Sequence, residues 1–347
     1  MSVAEVREAV RAGGLLGDDR PIVAMVSGGR DSVCLLDVAI ALRGAREVRA
    51  LHVNYGLRES ADADERHCVE LCELLGVALS VQRAGPAPGR PAAPPDDERA
   101  GATERAAARD EPGNLQAWAR ELRYAAARRL ADPDDAAIAT GHTASDQVET
   151  ILYRLAASPG RRALLGMASA EGSLIRPLLA VTREQTAAYC AERGLRWRED
   201  ESNEDERYAR VRVRRGLVPA LRAVHPAAEA NVLRTASLLG EETELLQALV
   251  DDELAGGSQI ALARLADLPA ALARMIVVRL AEDAAQTYVP QAGERVGELL
   301  ALGKRGGHAE LHLGRFAGAV IDDGVLSTRR LAPRETSERL RTPPGDD

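Results

Sequence analysis

The residues best equipped for chemistry are Ser27-Gly28-Gly29-Arg30-Asp31-Ser32, which follow an apolar run over 21–26. Adjacent glycines remove the Cβ atoms that would hold an anion away from the backbone, and they tolerate positive φ. A helix starting just beyond them would aim unpaired N–H groups and the positive end of its dipole into the turn. Ser27 and Ser32 add hydroxyls, and Asp31 adds a carboxylate suited to Mg²⁺ held beside phosphates. The whole run, from Ser27 through Gly28, Gly29, Arg30 and Asp31 to Ser32, reads as a phosphate cradle. No lysine lies near it, so it is not the Gly-x4-Gly-Lys-Ser/Thr loop, and it lacks the Gly-x-Gly-x-x-Gly dinucleotide spacing.

A second group lies in Gly141-His-Thr-Ala-Ser-Asp-Gln-Val-Glu-Thr150. His142 and Asp146 are four apart and Glu149 follows three later, so a helix through the segment would stack them on one face. An imidazole and two carboxylates in that position suit proton transfer. Two sets of arginines complete the inventory. Arg120 and Arg123 share a face of a helix expected to open at Asn114, with Arg120 also one turn from Tyr124. Arg207, Arg210 and Arg214 fall at i, i+3, i+7, a line that turns apolar at Leu217 and Leu221; Arg212 and Arg215 lie off it. Such a stripe can meet phosphates, or it can be a solvated face paired with Glu204, Asp205 and Glu206.

These residues need a scaffold, and the pattern supplies one. Strands are expected at 21–26, 48–53, 77–82 and 136–140, and helices at 3–12, 33–42, 60–75 (Ser60 as its N-cap) and 114–131. Strands alternating with helices imply a parallel sheet with right-handed crossovers. In such a sheet ligands sit at the carboxyl ends of the strands, where the cradle and Gly141 both lie. The stretch 85–113, rich in Pro, Ala, Arg and acids, reads as a disordered insertion. Beyond 240 the pattern is helical, with strand-like runs at 309–313 and 319–326.

A length of 347 residues suggests two domains, drawn here as 1–217 and 218–335 with a disordered tail at 336–347. There is no apolar run of about 18 residues and no leader pattern, so a cytoplasmic protein without a membrane span is expected. The net charge of -8 argues against indiscriminate nucleic-acid binding but leaves room for a local basic stripe. Cys34, Cys68, Cys72 and Cys190 lack CxxC spacing and read as buried thiols in a reducing compartment, with a metal at Cys68 and Cys72 the lesser alternative.

In this order and spacing, the cradle, the segment Gly113-Asn-Leu-x-Ala-x-Ala-Arg-x-x-Arg-Tyr124 and the Gly141 segment resemble the tRNA(Ile)-lysidine synthetase family of ATP pyrophosphatases. Further agreement comes from His52-Val-Asn-Tyr-Gly-Leu-Arg58, Arg176-Pro-Leu-Leu179 before a Thr182-x-x-Gln185 capping box, Asp200-x-Ser-Asn203, and Tyr208 to Arg214. The resemblance spans roughly 20–240. It implies an α/β fold: a parallel-sheet, Rossmann-like adenine-nucleotide hydrolase (PP-loop) domain followed by a smaller, mainly helical domain. It also implies ATP and Mg²⁺ as cofactors, L-lysine and a CAU-anticodon tRNA(Ile) as partners, and a homodimer. By the same resemblance Asp31 is the metal ligand and Arg120 or Arg123 serves the α-phosphate or the base. His142, Asp146 and Glu149 are candidates for the base that deprotonates the lysine amine, and Arg123, Arg207, Arg210, Arg212 and Arg214 meet tRNA. Three departures stand out: Ser145 where the family commonly has Asp, Val211 in place of Asn, and Tyr55 in place of a second His. The competing readings are a thiolating relative, an amide-forming relative acting on small molecules, and a nucleotide-binding protein without catalysis.

Overall fold

The computed structural model describes residues 1–17, 19–57, 60–85, 112–157, 160–199 and 209–332. Most of the expected insertion, the tail 336–347, Arg207 and the Asp200-x-Ser-Asn203 segment lie outside the described residues. After α1 (Val3–Ala12), closed by a Ser2/Glu5 capping box, the chain enters β1 (Ile22–Met25), which is buried throughout. Its side chains alternate between two cores. Ile22 and Ala24 join Leu36, Leu178 and Tyr189 on one side, while Val23 and Met25 join Leu51, Ala127 and Ile138 on the other. A strand apolar at every position is what two covered faces require.

Next come α2 (Arg30–Arg43), β2 (Val48–Asn54), α3 (Ala61–Leu75), β3 (Ala78–Arg83), α4 (Pro112–Ala131), β4 (Ala137–Ala139) and α5 (Ala144–Ala157). A short helix, α6 (Arg161–Leu164), leads to the hairpin β5 (Ala170–Glu171) and β6 (Leu174–Ile175), followed by α7 (Arg183–Glu192). The sheet order is β3-β2-β1-β4-β6-β5. All pairings are parallel except β5 with β6, as the alternation required. β1 has β2 on one side and β4 on the other, so the chain switches direction across the sheet between β1 and β4. That switch opens a crevice at the carboxyl ends of the two strands, and the cradle and the Gly141 segment leave β1 and β4 there.

Two helix starts differ from expectation. α2 begins at Arg30, not Val33, with Gly29 as its N-cap; its first turn is polar, so hydrophobic periodicity could not reveal it. Ser60 precedes α3 but makes no side-chain cap bond and has helical dihedrals. A buried carboxylate ties three helices together. Asp37 of α2 accepts from Tyr189 Oη at 2.5 Å, from Arg193 at 3.0 and 3.1 Å, and from Arg7 of α1 at 3.2 Å. Because Asp37 lies under one tenth exposed, this is a fully committed ionic knot, and it fixes α7 against α2.

The chain separates into two compact units, 1–239 and 240–347. The first unit extends past 217 because α8 (Ala209–Arg212), a π turn at Val213–Leu217 and α9 (Val218–Val224) continue it. Val218 and Leu221 pack with Val148 and Leu152 of α5. The division itself falls inside α10 (Ala228–Leu254). The second unit adds β7 (Gln259–Ala261), α11 (Leu262–Asp267), α12 (Ala270–Ala285) and α13 (Val296–Gly303). It closes with β8 (Ala309–Gly314), β9 (Ala317–Asp322) and β10 (Val325–Arg330), giving an antiparallel sheet in the order β7-β10-β9-β8. The expected single run 319–326 is two strands. Asp323 and Gly324 both take positive φ, the two-residue hairpin turn that an Asp-Gly pair favours. Among the described residues, no helix is long and apolar enough to cross a membrane.

Candidate active site

The cradle is braced by its own hydroxyls. Ser27 N–H donates to Ser32 Oγ at 3.1 Å, Ser32 Oγ–H donates to Gly29 O at 2.8 Å, and Gly29 N–H donates to Ser27 Oγ at 3.3 Å. Gly28 has φ +83, which only glycine adopts at low cost. A Cβ there would also meet the His67 ring at 3.3 Å and Cys68 Sγ at 3.4 Å. Gly29 is extended, so its value lies in the bare backbone it presents as the N-cap of α2. Arg198 N–H donates to Gly28 O at 2.9 Å and its guanidinium reaches Asp64 at 2.5 Å, so residues near 198 lie against the loop.

The Gly141 segment touches the cradle through backbone. A Cβ on Gly141 would lie 3.0 Å from the carbonyl of Asp31 and 3.1 Å from Ser32 N. α5 begins only at Ala144, so His142 precedes the helix and does not share a helical face with Asp146 and Glu149. Thr143 is the reason: its N–H and hydroxyl both donate to Asp146 Oδ2 at 2.8 Å, and Asp146 N–H returns to Thr143 Oγ1 at 3.4 Å. This reciprocal cap starts the helix after His142. His142 instead bonds Thr140 Oγ1 through Nδ1 at 2.8 Å. Burial pushes its pKa down to about 4, and the charges of Arg176, Arg120 and Arg210 prevail with it against Asp146. At neutral pH the imidazole is uncharged.

Asp31, Asp146 and Glu149 converge on one residue that the sequence reading missed, Arg183. Its Nη1 donates to Glu149 Oε1 at 2.9 Å, its Nη2 to Asp146 Oδ1 at 2.7 Å, and its Nε lies 3.8 Å from Asp31 Oδ2. The guanidinium thus addresses a different carboxylate with each nitrogen. Arg214 adds a fork on Glu149, Nε to Oε1 at 2.8 Å and Nη2 to Oε2 at 3.1 Å. Burial raises the Asp31 carboxyl above its ordinary value, aided by the charge of Asp146 and opposed by the Thr186 hydroxyl, Arg30 and Arg183. At Asp146 burial acts the same way but is outweighed by Arg183 and the Thr143 bonds, which hold the carboxyl below its ordinary value.

Thr186 donates to Asp31 Oδ1 at 2.5 Å, leaving Oδ2 with Arg183 at 3.8 Å as its nearest ion-pair partner. A carboxylate oxygen without a hydrogen bond inside the cradle segment fits Mg²⁺, which takes one or two carboxylates and draws its other ligands from phosphates and water. The described residues hold no group of three or more His, Cys, Asp or Glu placed for a metal by themselves, so phosphate oxygens would have to complete such a site.

The remaining arginines scatter. Arg120 stacks over Tyr124, 4.8 Å to the ring centroid, and with Arg123 it is exposed on α4. Arg210 and Arg212 are exposed on α8. The expected line from Arg210 to Arg214 is interrupted by the π turn, whose wider winding breaks helical periodicity, and Arg214 turns to Glu149. The departures also find places. Ser145 is buried, and its Oγ accepts Arg183 N–H at 3.1 Å, anchoring the start of α7. Tyr55 meets Trp118 edge-on at 6.2 Å, and Val211 is buried. Of the residues missed, Gly141 carried a signal in its place after a strand. Arg183 carried only the Thr182-x-x-Gln185 box, which puts it at the first helical position and does form.

Two cysteines back the cradle: Cys68 Sγ lies against Gly28, and Cys190 Sγ–H donates to Arg30 O at 3.6 Å. All four are buried and free. Burial pushes the Cys68 and Cys72 thiols up to about 12 and about 11, so both are protonated at neutral pH.

A parallel sheet with a glycine-serine cradle at its switch point, facing an acidic cluster from the neighbouring strand, defines a nucleotide-binding protein of the PP-loop class, and residues 4–221 match the PP-loop domain family. The chain is 37% identical over 239 residues to the tRNA(Ile)-lysidine synthase of Pseudomonas fluorescens, covering 67% of this chain and 49% of that one. It is 36% identical over 264 residues to that of Methylococcus capsulatus, covering 74% and 54%. With that of Nostoc sp. it shares 32% identity over 253 residues, covering 70% and 67%. The chain belongs to the tRNA(Ile)-lysidine synthase family of PP-loop proteins. It spans about half the length of the first two of these relatives. Among solved structures, the U34-tRNA thiolase NcsA from Methanococcus maripaludis superposes with a TM-score of 0.53 at 16% identity, over 69% of this chain and 78% of that one; this likeness concerns the fold alone.

Proposed function

We propose that this chain uses ATP to adenylate the wobble cytidine of a CAU-anticodon tRNA(Ile) and then joins L-lysine to it, giving lysidine. The observation that carries the reading is the contiguity of two unlike sites: an anion cradle, and a carboxylate cluster that shares Asp31 with it. A phosphate and an amine can therefore be held side by side. In the first step cytidine O2 attacks the α-phosphorus of ATP and pyrophosphate leaves; in the second the ε-amine attacks C2 and AMP leaves with the O2 oxygen. Pyrophosphate departs readily only when its charge is offset. The first-turn N–H groups of α2 and the loop hydroxyls supply that offset, and Mg²⁺ held by Asp31 would add charge neutralisation.

The second step needs an amine that has lost its proton. In this reading Asp146 or Glu149 holds the ammonium and accepts that proton, with neutral His142 to hydrogen-bond or relay it. In this reading Arg120 and Arg123 on α4 and Arg210 and Arg212 on α8 serve the α-phosphate and the RNA backbone. The thiolase reading is not favoured: all four thiols are buried, and burial holds those of Cys68 and Cys72 protonated.

The test is pyrophosphate release from Mg-ATP, with and without CAU-anticodon tRNA(Ile), together with incorporation of labelled lysine into that tRNA. Release that requires the tRNA, followed by lysine capture, is the expected result. Release without RNA would replace the reading with small-molecule adenylation, and release with RNA but no lysine capture with a different base modification.

A further inference from the structure

The oxygens of the acidic cluster are already taken. Asp146 Oδ2 accepts both donors of Thr143, and Oδ1 accepts Arg183 at 2.7 Å. Glu149 Oε1 accepts Arg183 at 2.9 Å and Arg214 at 2.8 Å, and Oε2 accepts Arg214 at 3.1 Å. The side chains are well enclosed, with Glu149 5% and Arg183 19% exposed. An ammonium group entering here meets two carboxylates whose charge is matched by Arg183 and Arg214, each already accepting three of the about four hydrogen bonds a carboxylate can take. It also matches the resident group chemically, since both are cations offering only N–H donors.

We infer that Arg183 is an internal competitor for the amine. Its guanidinium occupies the position that the amine of lysine takes in the working enzyme, and it must leave Asp146 and Glu149 before the amine can bind. Its Nε already lies beside Asp31 at the edge of the cradle, so nucleotide phosphates are the partner that draws it away. Nucleotide binding thereby opens the amine site, and lysine stays out of the enzyme until ATP is in place. This rests on the lysine reading for the identity of the amine, but not for the competition itself.

The sign of the effect separates this role from a structural one. If Arg183 merely positioned the carboxylates, removing it would weaken amine binding. If it competes, removing it strengthens binding in the nucleotide-free protein. A binding-competent state populated at about 1–10% costs the ligand about 10–100-fold in apparent affinity, and the variant regains that factor. The experiment is calorimetric titration of wild type and Arg183→Gln with L-lysine and separately with n-butylammonium, each with and without Mg²⁺ and a non-hydrolysable ATP analogue. The expected result is a Kd for the amine at least about tenfold lower in Arg183→Gln without nucleotide, with wild type approaching the variant once the analogue is bound. Equal or weaker amine binding by the variant overturns the inference, even if wild type makes lysidine. Tighter butylammonium binding by the variant, with lysine ignored by both proteins, keeps the inference and removes the lysine reading. Arg183→Lys keeps the charge but has a single nitrogen to bridge the cluster. Should the glutamine variant not fold, the lysine variant decides: tighter amine binding than wild type supports competition, and unchanged or weaker binding refutes it.

Discussion

Asp31 answers to the nucleotide cradle and to the acidic cluster at once, so its substitution has to be read at both. Asp31→Asn keeps an oxygen for the Thr186 hydroxyl but loses the charge facing the phosphates. Pyrophosphate release should fall by about 10²–10³-fold, the usual cost of removing one electrostatic contact from a transition state, with an unchanged circular dichroism spectrum. Full activity in that variant would remove Asp31 from the metal role. His142 makes a different forecast. Its pKa falls from 6.5 to about 4 in the fold, so between those values the unfolded chain binds a proton that the folded one refuses. Stability must then rise with pH across that window. Replacing His142 with Gln should flatten the dependence of Tm on pH between about 4 and 6.5; an unchanged slope would mean that the imidazole is not held neutral. The cradle residues were legible because glycine and serine in a strand-to-helix turn have a local reason to be there. Arg183 was not, because its meaning comes from partners about 35 and 150 residues away, in a chain where arginine is abundant.

At the level of elements, the site depends on how helices begin. Thr143 starts α5 and in the same stroke orients Asp146, whose two oxygens are divided between the cap and Arg183. Thr143→Ala should cost about 1 kcal/mol of stability, as loss of a cap does, and should weaken catalysis more than stability because Asp146 is then free to rotate. Denaturant unfolding and lysine incorporation on the same variant would separate the effects, and loss of both in proportion would argue that Thr143 serves the fold alone. Helix starts were also where the sequence reading erred. Polar first turns carry no periodicity, so α2 was placed three residues late and α5 was allowed to swallow His142. The π turn hid for a related reason: a wider turn of backbone leaves no mark on residue types, yet it sends Arg214 to Glu149 instead of along the Arg210 line.

For the molecule as a whole, the alternation of strands and helices made the parallel sheet legible, but not the position of β4 beside β1, which creates the crevice. That neighbour relation is tertiary and leaves no local pattern. The net charge of -8 likewise concerns the entire chain, so the tRNA binding proposed above would run through a confined set of arginines. The affinity for tRNA should therefore fall linearly on a log–log plot against salt. Arg123→Ala and Arg210→Ala should each lower the slope by about 1 while leaving discrimination between tRNAs nearly unchanged. An unaltered slope would place the RNA elsewhere on the surface. The close approach of Gly141 to the backbone of Asp31 bears, finally, on how such a protein can change over generations. Two loops more than a hundred positions apart in the gene are fitted to each other to within the width of a methyl group. Because the contact is made to backbone, a recombinant that joined the first loop of one parent to the second loop of another would keep the fit as long as that second loop kept its glycine; a side chain there would push the first loop away whichever ancestor supplied it.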